Sequence, residues 1–314
     1  MKKLAVPGRI LALLLILCML ACGSSARDAE PTPEPVEPVS EATAAPIEED
    51  EFVPVSAATP EATLPPVPTP TPTPEPTPEF SPPPPDPTPT PEPSSEPKPL
   101  EGIVIGVDPG HQRVYDPKQE PVAPGSKQTK NRVSGGCRGV KSRVYEYEVT
   151  LNVGLYLKAL LEEQGATVVI THDTLDVNIS NIERAQMFND AKVDLGIRLH
   201  CNKSDNKKTR GAFMLVPSEG RTKYFDYNVK AAQTVLAAYL AETGIPMRYK
   251  DGMTYRGDQT GFNWCERPII NIEMGHLSNP DDDALLSKDD FQKTMAQGLC
   301  NGIVQFFAEN GRPD

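Results

Sequence analysis

A net positive charge, a membrane-spanning apolar run and most of the usual nucleophile signatures are missing from this 314-residue chain. Its formal charge is -12, whereas a nucleic-acid binder is expected to present a strongly basic face. The apolar run from Ile10 to Leu20 is eleven residues long, too short to cross a hydrocarbon core of about 30 Å. There is no GxSxG elbow for an exposed serine, no GxxxxGKS loop for phosphate and no GxGxxG turn for a dinucleotide. Without a CxxC pair, a thiolate zinc knuckle has no support either. Histidine is scarce: His111, His172, His200 and His276 are the whole complement.

What is abundant is proline, and it is concentrated. Residues 31–100 hold 25 of the 35 prolines, and they carry 13 acidic residues against Lys98, which accounts for the acidity of the whole chain. Such a stretch has no apolar periodicity with which to offset the entropy of ordering. Its Pro-Thr and Pro-Glu alternation favours extended polyproline II at about 3.1 Å per residue, so residues 23–100 are expected to form a disordered tether, of which the seventy residues 31–100 could reach up to about 200 Å. Before it, Lys2, Lys3 and Arg9 precede the short apolar run in the manner of a secretory signal over residues 1–22. The run ends in MLAC followed by GSS, which resembles the lipobox of bacterial lipoproteins. That resemblance makes Cys22 the expected lipidation site and implies an extracytoplasmic, membrane-anchored protein. In an oxidising exterior, Cys137, Cys201, Cys265 and Cys300 could form one or two disulfides, with no pairing favoured.

Residues 101–314 read as one folded domain. EGIVIGVDPGH is a strand stopped by a Pro-Gly turn, and a loop from about Gln112 to Arg143 follows. Val149, Val153, Leu157 and Leu160 or Leu161 fit a helical period closed by Gly165. ATVVITH is a strand, Ser180 and Glu183 form a capping-box pattern for the next helix, and DLGIRLH and GAFMLV are strands. Phe225 to Tyr239 is helical, RPIINIEMG is a strand, and Phe291, Met295, Leu299 and Ile303 mark a terminal helix. This alternation predicts an α/β fold, a single domain with a mostly parallel twisted sheet covered by helices on both faces. In such sheets the active groups gather at the carboxyl ends of strands. His111, His200 and Glu273 all sit there, and a zinc site with histidine and carboxylate ligands and one open position is the economical arrangement for hydrolysis.

VDPGH, EYEVTL, IRLHCN and IEMGHLSN together resemble the motif series of the zinc-dependent N-acetylmuramoyl-L-alanine amidases of family 3, the bacterial cell-wall amidases. They occur in that family's order across nearly all of residues 102–308. The resemblance implies one zinc ion held by His111, Glu146 and His200, Glu273 as the catalytic carboxylate, and peptidoglycan as the substrate. The family register sets the carboxylate ligand five residues before the leucine, which from Leu151 gives Glu146; Glu148 is the alternative, otherwise a helix N-terminal acid. Arg198 stands where many members have Ser and could bind a stem-peptide carboxylate or pair with a structural acid. Asn202 is a candidate substrate or ligand-supporting contact. Cys201, next to His200 on a strand, should face away from the metal. His276 replaces a usual Phe, either lining the site or in solvent, and His172 replaces an Arg. Rival readings are a zinc peptidase or deacetylase on a related fold, or a non-catalytic wall-binding module. The sequence names no activating protein.

Overall fold

The computed structural model describes residues 97–313. The signal segment, Cys22 and the proline-rich stretch through residue 96 lie outside the described residues. Ordered packing starts by Leu100, one residue before the expected boundary: it is fully buried in the core, and its backbone N–H donates to the Gln164 carbonyl at 2.9 Å.

Six strands form the central sheet: β1 (Val104–Pro109), β4 (Thr167–Ile170), β5 (Leu195–Asn202), β6 (Phe213–Pro217), β7 (Met253–Arg256) and β8 (Ile269–His276). Their order is β4-β1-β5-β8-β6-β7. The first four are mutually parallel; β6 runs antiparallel to β8, and β7 follows β6 in parallel. The expected fold class therefore holds. Two details had no clear signal in the sequence. The four-residue strand β7 is too short for its alternation to stand out, and the loop after His111 contains a hairpin, β2 (Asp116–Pro121) with β3 (Thr129–Val133). The hairpin strands read DPKQEP and TKNRV, polar or proline at every position but Val133, so they show no apolar alternation.

The helices divide by the faces they cover. α1 (Glu146–Glu163), α3 (Phe225–Thr243) and α6 (Asp289–Asn310) pack one side in the larger core, with Ile105, Val107, Leu195, Ile197, Leu199, Ile270 and Ile272 beneath them. In α1 the buried Val149, Val153, Leu157 and Leu161 recur every four residues, the stripe that a 3.6-residue period requires. The other side is covered more sparsely, by α2 (Asn181–Asp190) and the single-turn α4 (Thr260–Asn263). Because strand side chains alternate, the intervening residues of β1, β5 and β8 turn to that second side: Gly106 and Asp108, Gly196, Arg198 and His200, Asn271 and Glu273. Gly106 and Gly196 are register partners, and Phe188 of α2 lies flat on both. A Cβ on either would come within 2.6 or 2.8 Å of its ring, so the helix can approach only where side chains are missing. α5 (Pro280–Leu286) shapes the loop after β8 through the fully buried Asp282, which accepts from the backbone N–H of Gly211 (2.8 Å) and His276 (3.1 Å). The hairpin docks on the second side. The single tryptophan, Trp264, donates to the Pro121 carbonyl at 2.9 Å, and Arg132 reaches Asp116 and Glu183 at 2.8 and 2.6 Å.

Asp108 joins this second side together. Its carboxylate lies between Arg184 Nη1 of α2 at 2.6 Å and Arg198 Nε of β5 at 2.8 Å, and the Thr171 hydroxyl donates at 2.7 Å. Burial alone would raise the proton affinity of this carboxyl, yet the two guanidiniums hold it far below the ordinary carboxylate range. A folded value below the unfolded one means that its stabilisation is complete above the unfolded pKa of about 3.9 and is lost as pH falls through and below it. Asp108→Asn leaves two buried guanidiniums without their carboxylate and is expected to lower the unfolding free energy by about 3–5 kcal/mol at neutral pH. Denaturant titrations over pH 2–7 should show the deficit shrinking as the parent is acidified. A deficit that stayed constant across that range would contradict the assignment.

Candidate active site

At the carboxyl ends of β1 and β5, three side chains converge. His111 follows the Pro109-Gly110 turn with φ +66°, a left-handed conformation that costs an L-residue about 1–2 kcal/mol. Gly110 is needed beneath it, since a Cβ there would collide with the His200 ring and the Leu199 carbonyl. His200 is the sixth residue of β5, and Glu146 is the first of α1. Glu146 Oε1 lies 3.2 Å from His111 Nε2 and 3.1 Å from His200 Nδ1. The donor atoms of the three residues all fall within 4.8 Å of one another.

Each member is oriented by a further bond. Glu146 Oε1 accepts from the Cys201 N–H at 2.9 Å, and Oε2 accepts from the Cys137 N–H at 2.8 Å. His111 Nδ1 donates to the Ser134 carbonyl at 2.9 Å, which turns Nε2 toward Glu146. Burial pushes the His200 imidazole down to about 4, so it is neutral at physiological pH and able to act as a ligand. Burial acts in the same direction on His111, but the Glu146 carboxylate outweighs it and raises the imidazole. Glu146 would itself be raised by burial and is held well below its ordinary range by the two imidazoles. Two imidazoles and one carboxylate at this spacing are a donor set suited to a divalent metal, and three protein ligands leave room for a fourth.

Glu273 is the register partner of His200 across β5 and β8, so both side chains rise from the same face of the sheet. Burial, reinforced by the charge of Glu146, pushes its carboxyl well above the ordinary range. Asn271 Nδ2 donates to it at a long 3.5 Å. Glu148 does not join the cluster. Its carboxylate accepts from the Tyr145 N–H at 2.8 Å and caps the helix.

Of the two roles weighed for Arg198, the geometry displays pairing with an acid: the guanidinium is buried against Asp108 and donates from Nη2 to Asn181 Oδ1 at 2.7 Å. Asn202 turns its side-chain oxygen back onto the N–H of Lys203 at 2.7 Å. Cys201 points into the larger core, away from the histidines, as strand alternation requires. All four cysteines among the described residues are buried free thiols; the expected disulfides are not formed here. His276 is neither at the site nor in solvent: it is 1% exposed, with its Nδ1–H on the Gly211 carbonyl at 3.0 Å. His172 is likewise buried, against Thr171 and Arg184. Sequence reasoning passed over Arg184 and Ser134. Arg184 had a signal: it lies four residues before Phe188 on the inward face of α2, where a cation is out of place unless it is paired.

The family model for N-acetylmuramoyl-L-alanine amidase matches residues 105–305. The chain belongs to that family. It is 26% identical over 234 residues to an N-acetylmuramoyl-L-alanine amidase of Mycobacterium tuberculosis, covering 69% of this chain and 91% of that one. It is 27% identical over 229 residues to the germination-specific N-acetylmuramoyl-L-alanine amidase of Bacillus subtilis, covering 68% and 84%. Among solved structures, the fold is similar to an amidase from Mycobacterium smegmatis with a TM-score of 0.62 at 24% identity, covering 67% of this chain and 99% of that one. The protein is thus a peptidoglycan hydrolase.

The two acids at the start of α1 can be separated in the amidase by experiment. Glu146→Gln should weaken divalent-metal binding by at least roughly 100-fold, as loss of a charged ligand should exceed the 10–100-fold typical of a supporting residue. Glu148→Gln should leave metal affinity unchanged and lower stability by roughly 0.5–1 kcal/mol through the weakened cap. Chelator competition and thermal unfolding of both variants check this; the reverse ranking would move the ligand to Glu148.

Proposed function

We propose that the amidase is a single-zinc enzyme in which His111 Nε2, Glu146 Oε1 and His200 Nδ1 hold the metal and Glu273 moves the proton. The observation that carries this reading is the convergence of those three donor atoms beside a carboxylate in register with His200. When bound, zinc supplies a water with a pKa near 7 and polarises the scissile carbonyl. Glu273 accepts the proton of the attacking water as its oxygen bonds to the lactyl carbonyl carbon. The carbon–nitrogen bond then breaks, and the same carboxyl delivers its proton to the departing L-alanine nitrogen. The products are a muramic acid carboxylate and a stem peptide with a free amine. Burial of Glu273 suits both halves, because a carboxylate with raised proton affinity is the stronger base and keeps the proton until the amine needs it.

The complete set of ligands and carboxylate argues against a purely binding module. Product chemistry separates the other rivals: a peptidase would cut within the stem, and a deacetylase would release acetate. Full-length protein incubated with peptidoglycan should release stem peptides beginning at L-alanine, lose that activity with a chelator and regain it with zinc. Glu273→Ala should retain zinc and lose about 10²–10⁴-fold in rate, the usual contribution of general acid–base catalysis. Mass spectrometry of the digests reads both. A fully active Glu273→Ala variant would remove the proton-shuttle role.

The layout that fits this chemistry is a signal over residues 1–22, a tether over 23–100 and the catalytic domain after it. The lipobox-like MLAC before GSS supports lipidation at Cys22, and two or more acyl chains would give durable anchoring where one gives only marginal binding. Cys22→Ser is expected to move the protein from the membrane fraction to the soluble exported fraction. Unchanged membrane retention of that variant would argue against the anchor.

A further inference from the structure

Asp108 has two arginine partners, and they differ in what else they hold. Arg198 continues to a side chain of α2, Asn181. Arg184 continues to the backbone of the turn that carries His111. Its Nη1 donates to the Pro109 carbonyl at 2.7 Å, and its Nη2 donates to the His111 carbonyl at 3.0 Å and to Oε1 of the fully buried Gln112 at 2.8 Å. One planar guanidinium therefore grips the chain on both sides of Gly110 and at the residue with the left-handed backbone. On its other side the turn is tied to β5, where the Gly110 N–H donates to the Leu199 carbonyl at 2.8 Å. These contacts hold the backbone from which the His111 ring projects, in a left-handed conformation that an L-residue does not favour by itself, while Ser134 holds Nδ1.

We propose that Arg184 is a positioning residue of the metal centre, holding the Pro109–His111 turn in the conformation that presents His111 Nε2 to the metal. The inference rests on the reading of His111 as a zinc ligand and goes beyond it, since Arg184 touches neither substrate nor ligand side chain. A fixed fork of donors is required, because several acceptors at different heights must be reached at once. A lysine could keep the charge opposite Asp108 but could not span the carbonyls.

The test uses full-length protein and zinc itself, with dissociation constants from competition against a chromophoric chelator and thermal unfolding of the metal-free forms. Arg184→Met should weaken zinc binding by about 10–100-fold, the range typical of residues that orient a ligand. Arg184→Lys retains the buried charge, so it is the informative variant if Arg184→Met fails to fold; it too should bind zinc more weakly. Arg198→Met removes the other partner of the same carboxylate and should lower the unfolding temperature while leaving zinc affinity unchanged. Zinc binding by Arg184→Lys and Arg184→Met equal to that of the parent would overturn the proposal, as would an equal loss in Arg198→Met, which would reduce Arg184 to a general stabiliser. A parent chain that takes up no zinc would overturn the zinc reading and this inference together.

Discussion

The buried carboxylate of Asp108 is the interaction on which the site side of the sheet depends. A charge inside a protein is tolerated when it is paired and hydrogen-bonded, and here the pairing draws one cation from α2 and another from β5. Satisfying that single group ties α2 and β5 to β1 and, through the other end of the Arg184 guanidinium, reaches the turn before His111. The flat contact of Phe188 on Gly106 and Gly196 allows the approach that makes it possible.

Strand alternation then separates stability from chemistry. On β5 the sequence Leu-Gly-Ile-Arg-Leu-His-Cys sends Leu195, Ile197, Leu199 and Cys201 into the larger core. The residues between them face the thinner side, which is covered by α2 and one helical turn. The same division on β8 puts Ile270, Ile272 and Met274 in the core and Glu273 beside His200. Glu146 arrives from a different element, the first turn of α1, and is locked by backbone N–H groups of Cys137 and Cys201. A carboxylate accepting backbone donors through both oxygens is well suited to stay ionised and in place.

The amino-acid sequence by itself determined the fold class, the helical stripes and three of the four positions of the candidate site. The 3.6- and 2-residue periods of Val149–Leu161 and of Leu195–Cys201 follow directly from burial of one face, and His111, His200 and Glu273 were marked by standing at strand ends. Glu146 could be told from Glu148 only through the resemblance; in the structure the reason is plain, since the first points inward at the start of α1 and the second folds back to cap it. Tertiary structure alone decided the rest. The hairpin at 116–133 is held by Trp264 and Arg132 rather than by apolar alternation. Arg198 and the four cysteines took their roles from neighbours distant in the chain, and His276 was buried by the packing of α5. Periodicity reports on a residue's own element, whereas a buried ion pair or a ligand-holding bond depends on which elements meet, and that is set only when the sheet and its helices pack.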